Sequence, residues 1–141
     1  MAYEGQQPVI LPGVVSGADL SAAATAFKFV KFSTAPAVIL CSAVTDIPCG
    51  VLQAPAPTSA TGQPVQVVAL GVTKLQGDGT ASVGDLVGPD ASGQAVKIAW
   101  ATDKTAFVAG YILNRDAAGA AGSLLTAVIN CINPPKAVQS A

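Results

Sequence analysis

No histidine occurs anywhere in the 141 residues, and glutamate occurs once, as Glu4. That excludes Ser-His-Asp and Cys-His catalytic arrangements and every histidine-ligated metal site. Charge is also scarce: 11% of residues are Asp, Glu, Lys or Arg, against roughly 25% in an ordinary soluble domain. Seven basic and eight acidic residues leave a net charge of −1, with no run of either sign. Nucleic acid and anionic membranes both need a basic patch, so neither is expected as a partner. No apolar run approaches the ~18 residues of a bilayer-spanning helix. The start, "MAYEGQQPVILPG", has no basic region and no long apolar core, so it does not read as a signal peptide. Cys41, Cys49 and Cys131 are odd in number and form no C-x-x-C pair. They read as reduced, buried small hydrophobes in a protein made in the cytosol.

What is present is small and aliphatic. Hydrophobic residues make up 51% of the chain but aromatics only 5%, so the apolar content is mostly Ala, Val, Leu and Ile. The length fits one domain, which would bury roughly 70% of its unfolded surface. A surface this poor in charge implies that part of it is covered in an assembly.

Residues 1–24 stand apart as an extended N-terminal arm. Pro8, Pro12, Gly5, Gly13 and Gly17 prevent a helix or a long strand, while Val9, Ile10, Leu11, Val14 and Val15 want a dry surface. The arm is expected to lie against another molecule and to gain order on binding. From Thr25 onward the spacing predicts strands over 25–32, 37–44, 49–53, 64–75, 85–89, 94–100, 106–113 and 123–132. Each is rich in β-branched or aromatic residues and bounded by Gly, Pro, Asp or Ser. The fold class is all-β, a small β-barrel or β-sandwich (tulip-like) over 25–133, with a short tail at 134–141. "GDG" at 77–79 and "ASG" at 91–93 read as hairpin turns. Strands 64–75 and 123–132 are apolar on both parities, which points to a core on one side and a subunit contact on the other. The interface candidates are Leu124, Val128, Ile132, Val68 and Leu70. In "FKFVKF" the apolar parity changes between Phe29 and Val30, as at a bulge or where a strand passes between layers. An internal echo relates 47–68 to 107–128 at an offset of sixty, matching Gly50 with Gly110 and Gly62 with Gly122. It fits two related halves closing one barrel.

No motif for chemistry emerges. The glycine-rich stretch 69–97 lacks G-x-x-x-x-G-K-[ST], and no helix pattern follows it, so it is not a phosphate cradle. "GDGT" offers no lysine at a hairpin tip for a swinging cofactor, and Lys74 sits at a strand end. Asp78, Asp85 and Asp90 read as turn caps, their spacing being unlike a calcium loop. No cofactor and no metal are expected, and the chain is not expected to be an enzyme. A small-ligand or carbohydrate-binding barrel is the alternative, but Tyr3, Trp100 and Tyr111 are too scattered for an aromatic platform.

The order of short motifs matches a known family. Gly50–Leu52, Gly62–Val67, Leu70–Val72, Gly84–Val87 and Gly110–Val128 are the glycine-and-valine units involved. With their spacing, residues 25 to 132 resemble the capsid cement, or head decoration, proteins of tailed bacteriophages. The resemblance implies a β-rich structural protein on the outer surface of an expanded icosahedral head, commonly a homotrimer. It would clamp neighbouring major capsid protein subunits, and would be made in the host cytoplasm and located on the virion. The N-terminal arm would then be a capsid-binding element.

Overall fold

The computed structural model describes residues 8–99, 102–115 and 120–136. The strands are β1 (Val9–Ile10), β2 (Val15–Ser16), β3 (Phe29–Phe32), β4 (Ala37–Leu40), β5 (Gly50–Leu52), β6 (Val67–Gln76), β7 (Leu86–Pro89), β8 (Ala95–Lys97), β9 (Gly110–Arg115) and β10 (Leu124–Asn130). The only helical element among the described residues is a 3-10 turn, Ala23–Thr25. All eight strands expected from Thr25 onward form, each shorter than its apolar run. The fold is all-β.

The hydrogen-bonded order is β2-β4-β3-β5-β6-β10-β9-β7-β8, with β1 also on β6. The ladder does not close into a barrel, contrary to that expectation. Its ends instead fold back toward the long β6 through single bridges, Val15 to Pro64 at one end and Gly77 to Ala95 at the other. "ASG" at 91–93 is the β7–β8 hairpin turn, with Asp90 N–H donating to Gln94 O at 2.8 Å and Gly93 at φ +76°. "GDG" at 77–79 is not a hairpin. Gly79 has φ +98°, but β6 pairs with β10 rather than with β7.

The sequence echo is a structural repeat. Val51 faces Val68 across β5–β6, and sixty positions later Tyr111 faces Val128 across β9–β10. Val30 faces Leu40 across β3–β4, and fifty-seven positions later Val87 faces Lys97 across β7–β8. The strand order is accordingly a palindrome, β4-β3-β5-β6 against β10-β9-β7-β8. Its centre is the β6–β10 pair, where Leu70 lies opposite Asn130. Those two residues are themselves sixty apart, so a pseudo-two-fold axis passes between them. The halves are joined edge to edge rather than closed around one barrel.

Two large buried clusters fill the molecule. One contains Phe29, Val51, Val68, Leu75, Ile112 and Ile129. The other contains Val14, Leu20, Val30, Val38, Leu52 and Val67. Successive residues of β3, β5 and early β6 enter different clusters: Phe29 and Val30, Val51 and Leu52, Val67 and Val68. These strands are a wall shared by two cores, which accounts for the parity change in "FKFVKF". Two-sided apolarity in this part of the sheet is satisfied within one chain and needs no second subunit.

The N-terminal segment is not a free arm. From Val68 back to Gln63, the edge of β6 that β10 vacates is taken by residues 10–16. Leu11 N–H donates to Val67 O at 3.0 Å, Ser16 N–H to Gln63 O at 2.8 Å, and Gly17 N–H to Val38 O at 2.7 Å. β2 also runs parallel to β4. Val14 and Leu20 are 5% and 1% exposed, as core residues are. Pro and Gly did break regular structure, but the apolar side chains found their dry surface in the chain's own second core. At the other end, Val108 N–H donates to Pro135 O at 2.8 Å, so the chain stays on the body as far as Lys136. Residues 1–7 of the expected arm and 137–141 of the expected tail lie outside the described residues.

Candidate functional site

The outer face of β6, β10 and β9 carries an apolar row on paired strands. Val72 faces Val128, which faces Tyr111. Directly opposed side chains of this kind have Cβ atoms ~5 Å apart, so the three form one surface. One row toward the pseudo-axis, Leu70 is paired with both Asn130 and Val9. Val72 is 56% exposed, Tyr111 43% and Ile132 61%. Leu113 is exposed as well, beside the register shift where Thr126 faces Asn114 and Ala127 faces Ile112. The Lys74, Thr126 and Asn114 row forms a polar border. Exposed apolar surface here is on the order of 500 Å², the usual size of a monomer's largest apolar patch, which is often functional.

This face unites residues that the sequence assigned to two different roles. Val9, at 43% exposed, came from the proposed capsid arm, while Leu70, Val128 and Ile132 came from the proposed subunit interface. Ile10 is 42% exposed and pairs with Val68. Leu124 is half-buried at the far end of β10, opposite Gln76. Four assignments change. Val68 is 3% exposed and belongs to the core, because its strand is still part of the shared wall there. Val14 is a core residue, and Leu11 packs against the same cluster. Val15 is half-buried within β2, between Ala37 and Pro64. Sequence reasoning missed Val72 and Tyr111. Val72 shares the parity of Leu70, and that alternation was the available signal.

Elsewhere the polar groups are occupied with structure. Asp78 accepts from Thr80 N–H and Oγ1, Asp85 from Ser82 N–H, and Asp90 from Ser92 and Gln94 N–H. All three aspartates cap turns, as read from their spacing. Lys31 Nζ lies 2.8 Å from Asp46 Oδ2. That oxygen also accepts from Ser42 and Ala43 N–H at 2.7 and 3.0 Å. The three thiols are free. Burial pushes Cys49 up to about 11 and Cys131 up to about 12, and raises Cys41 further still. They are poor nucleophiles at neutral pH. Among the described residues, no group of three or more Cys, Asp or Glu side chains is placed to hold a metal ion. A cleft of about 140 Å³ lies between Val44, Val96, Ile98 and Asp103. Pockets for small organic ligands typically hold ~300–1,000 Å³. Tyr3 and Trp100 lie outside the described residues.

No protein-family model and no curated protein matches the chain. A solved structure, that of the head fiber gp8.5 N base in bacteriophage phi29, is similar over nearly its whole length. The TM-score is 0.61 at 20% sequence identity, covering 89% of this chain and 96% of that one. At this identity the likeness is one of fold.

Proposed function

We propose that the protein is a non-enzymatic structural component of a phage virion, bound to the outside of the head. The observation that carries this reading is the shared fold with a phage head fiber base over almost the whole of both chains. It agrees with the motif order that resembles head decoration proteins, an independent line drawn from sequence. In this reading the protein assembles as a homotrimer on the expanded shell and holds neighbouring major capsid protein subunits together.

The apolar face centred on Val72, Val128 and Tyr111 is the surface such an assembly would cover. Burying on the order of 500 Å² of apolar surface is worth on the order of 10 kcal/mol before the cost of immobilising a partner. With so few charges, the attachment would depend weakly on salt. The test is co-sedimentation of purified protein with expanded and unexpanded heads from a phage carrying the gene, followed by heating. Saturable binding to expanded heads, with a raised temperature of DNA release, is the expected result. Absence of binding, or binding that leaves release unchanged, removes the clamping role.

A further inference from the structure

The N-terminal core is closed by a stave that ordinary sheet continuity does not supply. β10 accompanies β6 only as far as Ala69, whose carbonyl accepts from Cys131 N–H at 2.8 Å. Beyond that point β10 departs toward Val108. From Val68 back to Gln63 the vacated edge is filled by residues 10–16, through pairings no more than two residues long. The C-terminal half needs no such addition, because β6 and β10 run together from Gln76 to Leu70. An acceptor edge over 63–68 is therefore filled by a terminal segment that is distant in sequence and carries two buried anchors, Val14 and Leu20.

The junction between that segment and the body is strained. Phe27 has φ +63°, the one non-glycine residue at positive φ among those described. A bulky side chain is disfavoured in the left-handed region, and such residues persist where their surroundings over-determine them. Phe27 N–H donates to Leu52 O and Gln76 N–H donates to Phe27 O, at 2.6 and 2.7 Å. Gln76 Nε2 ties down Ala24 O and Ala26 O. If Phe27 moved to extended backbone, residues 8–26 would swing away as a unit. Next to the hinge, Thr25 Oγ1 donating to Leu20 O braces the 20–25 turn.

We propose that residues 8–26 exchange between copies, each chain's Val14 and Leu20 completing the N-terminal core of a neighbour. Every contact the stave makes within its own chain can be remade in the neighbour, while the left-handed Phe27 is released. These are the conditions under which strand exchange is a low-cost route to association. On a crowded shell, exchange would interlock neighbouring copies. The inference does not depend on the virion reading, because its test uses the purified protein alone.

Val14 and Val65 lie side by side, with Val65 N–H donating to Val14 O at 3.3 Å. The pair Val14→Cys and Val65→Cys is placed to form a disulfide across the junction. Labelled ¹⁵N and unlabelled chains are co-refolded at high concentration, oxidised and digested. With full exchange about half of the 14–65 linked peptides are of mixed isotope, the statistical value for an interchain contact. Linked peptides of pure isotope only, at every concentration, overturn the proposal. Isotope-filtered nuclear Overhauser contacts between Val14 and Val67 in unmutated mixed protein give the same answer should the cysteine pair prevent folding. Phe27→Gly, which removes the left-handed penalty, is expected to lower the mixed fraction several-fold without lowering the melting temperature. An unchanged fraction overturns the hinge assignment.

Discussion

Gly50 and Gly110 occupy equivalent places in the two halves, and each lies against the same atom of its repeat. A Cβ built on Gly50 would run into the carbonyl oxygen of Val68, and one on Gly110 into that of Val128. Both oxygens are fixed by the sheet ladder, so neither can yield.

Gly50→Ala and Gly110→Ala are therefore expected to destabilise severely, by more than ~3 kcal/mol, through overpacking against backbone. Gly62 and Gly122, also sixty apart, supply the control. They have φ +80° and +85°, with open space where a Cβ would sit. Alanine there meets only the left-handed penalty, ~1–2 kcal/mol. Thermal unfolding of the four variants should give two pairs. Unequal members within a pair would break the equivalence of the halves.

The N-terminal segment should divide into core and surface residues. Leu20→Ala removes a side chain that is 1% exposed, and a cost of ~2–5 kcal/mol is expected. Ile10→Asp and Val9→Asp change half-exposed positions and should stay within about 1 kcal/mol. Deleting residues 1–16 should lower stability sharply, since it takes Val14 from the core. A truncated protein that melts like the full chain would restore the segment to a dispensable arm.

The strands were legible because β-branched runs punctuated by Gly and Pro specify them locally. The repeat was legible because Gly50 and Gly110 are needed wherever β5 or β9 crosses a neighbouring carbonyl. β1 and β2 were not, for each spans two residues and exists only because a distant edge over 63–70 accepts it. Two-sided apolarity was read correctly but assigned to a single cause. At Val67 and Val68 it marks a wall between two cores, whereas at Val72 and Val128 it marks an uncovered face. Sequence periodicity is identical in the two cases, and only the curl of the sheet separates them. Val128 and Leu70 were among the interface candidates and Tyr111 was not, because β9 carries its apolar residues around a register shift that strict alternation does not anticipate.

Charge placed on the apolar face tests its role. Val72→Glu and Tyr111→Glu should each keep the melting temperature within ~4 °C, about 1 kcal/mol for a domain this size. Each should also shift sedimentation toward the monomer and weaken binding to heads, because an unpaired carboxylate resists burial. If both variants sediment and bind as the parent does, the face is simply solvent-exposed.

Acid should loosen the loop after β4. Burial pushes the Asp46 carboxyl up. The Lys31 ammonium and the Ser42 and Ala43 N–H groups outweigh it and hold the carboxyl below its usual range. A carboxyl lowered on folding contributes stability that is complete above its unfolded value, ~4, and lost as pH falls through the folded one. Asp46→Asn should therefore be less stable than the parent at pH 7, and the two should converge as pH falls below ~4 through the lowered folded value. Melting curves running parallel across that range would remove Asp46 from the acid response.

Alkali acts through the thiols, with the opposite sign. Cys49 and Cys131 are pushed up to about 11 and about 12 by burial, and Cys41 is raised beyond them. The unfolded chain ionises its cysteines near ~8.5, so it releases their protons first. Their contribution is fully present below that value and is lost as pH rises toward 11–12. At pH 8 the thiolate fraction of Cys49 should be roughly 100-fold below that of a free cysteine, and those of Cys41 and Cys131 lower still. Iodoacetamide labelling followed by peptide mapping should therefore modify Cys49 first and slowly, and the other two only on unfolding. Rapid labelling of Cys41 or Cys131 at neutral pH would mean that the cores open far more often than their packing implies.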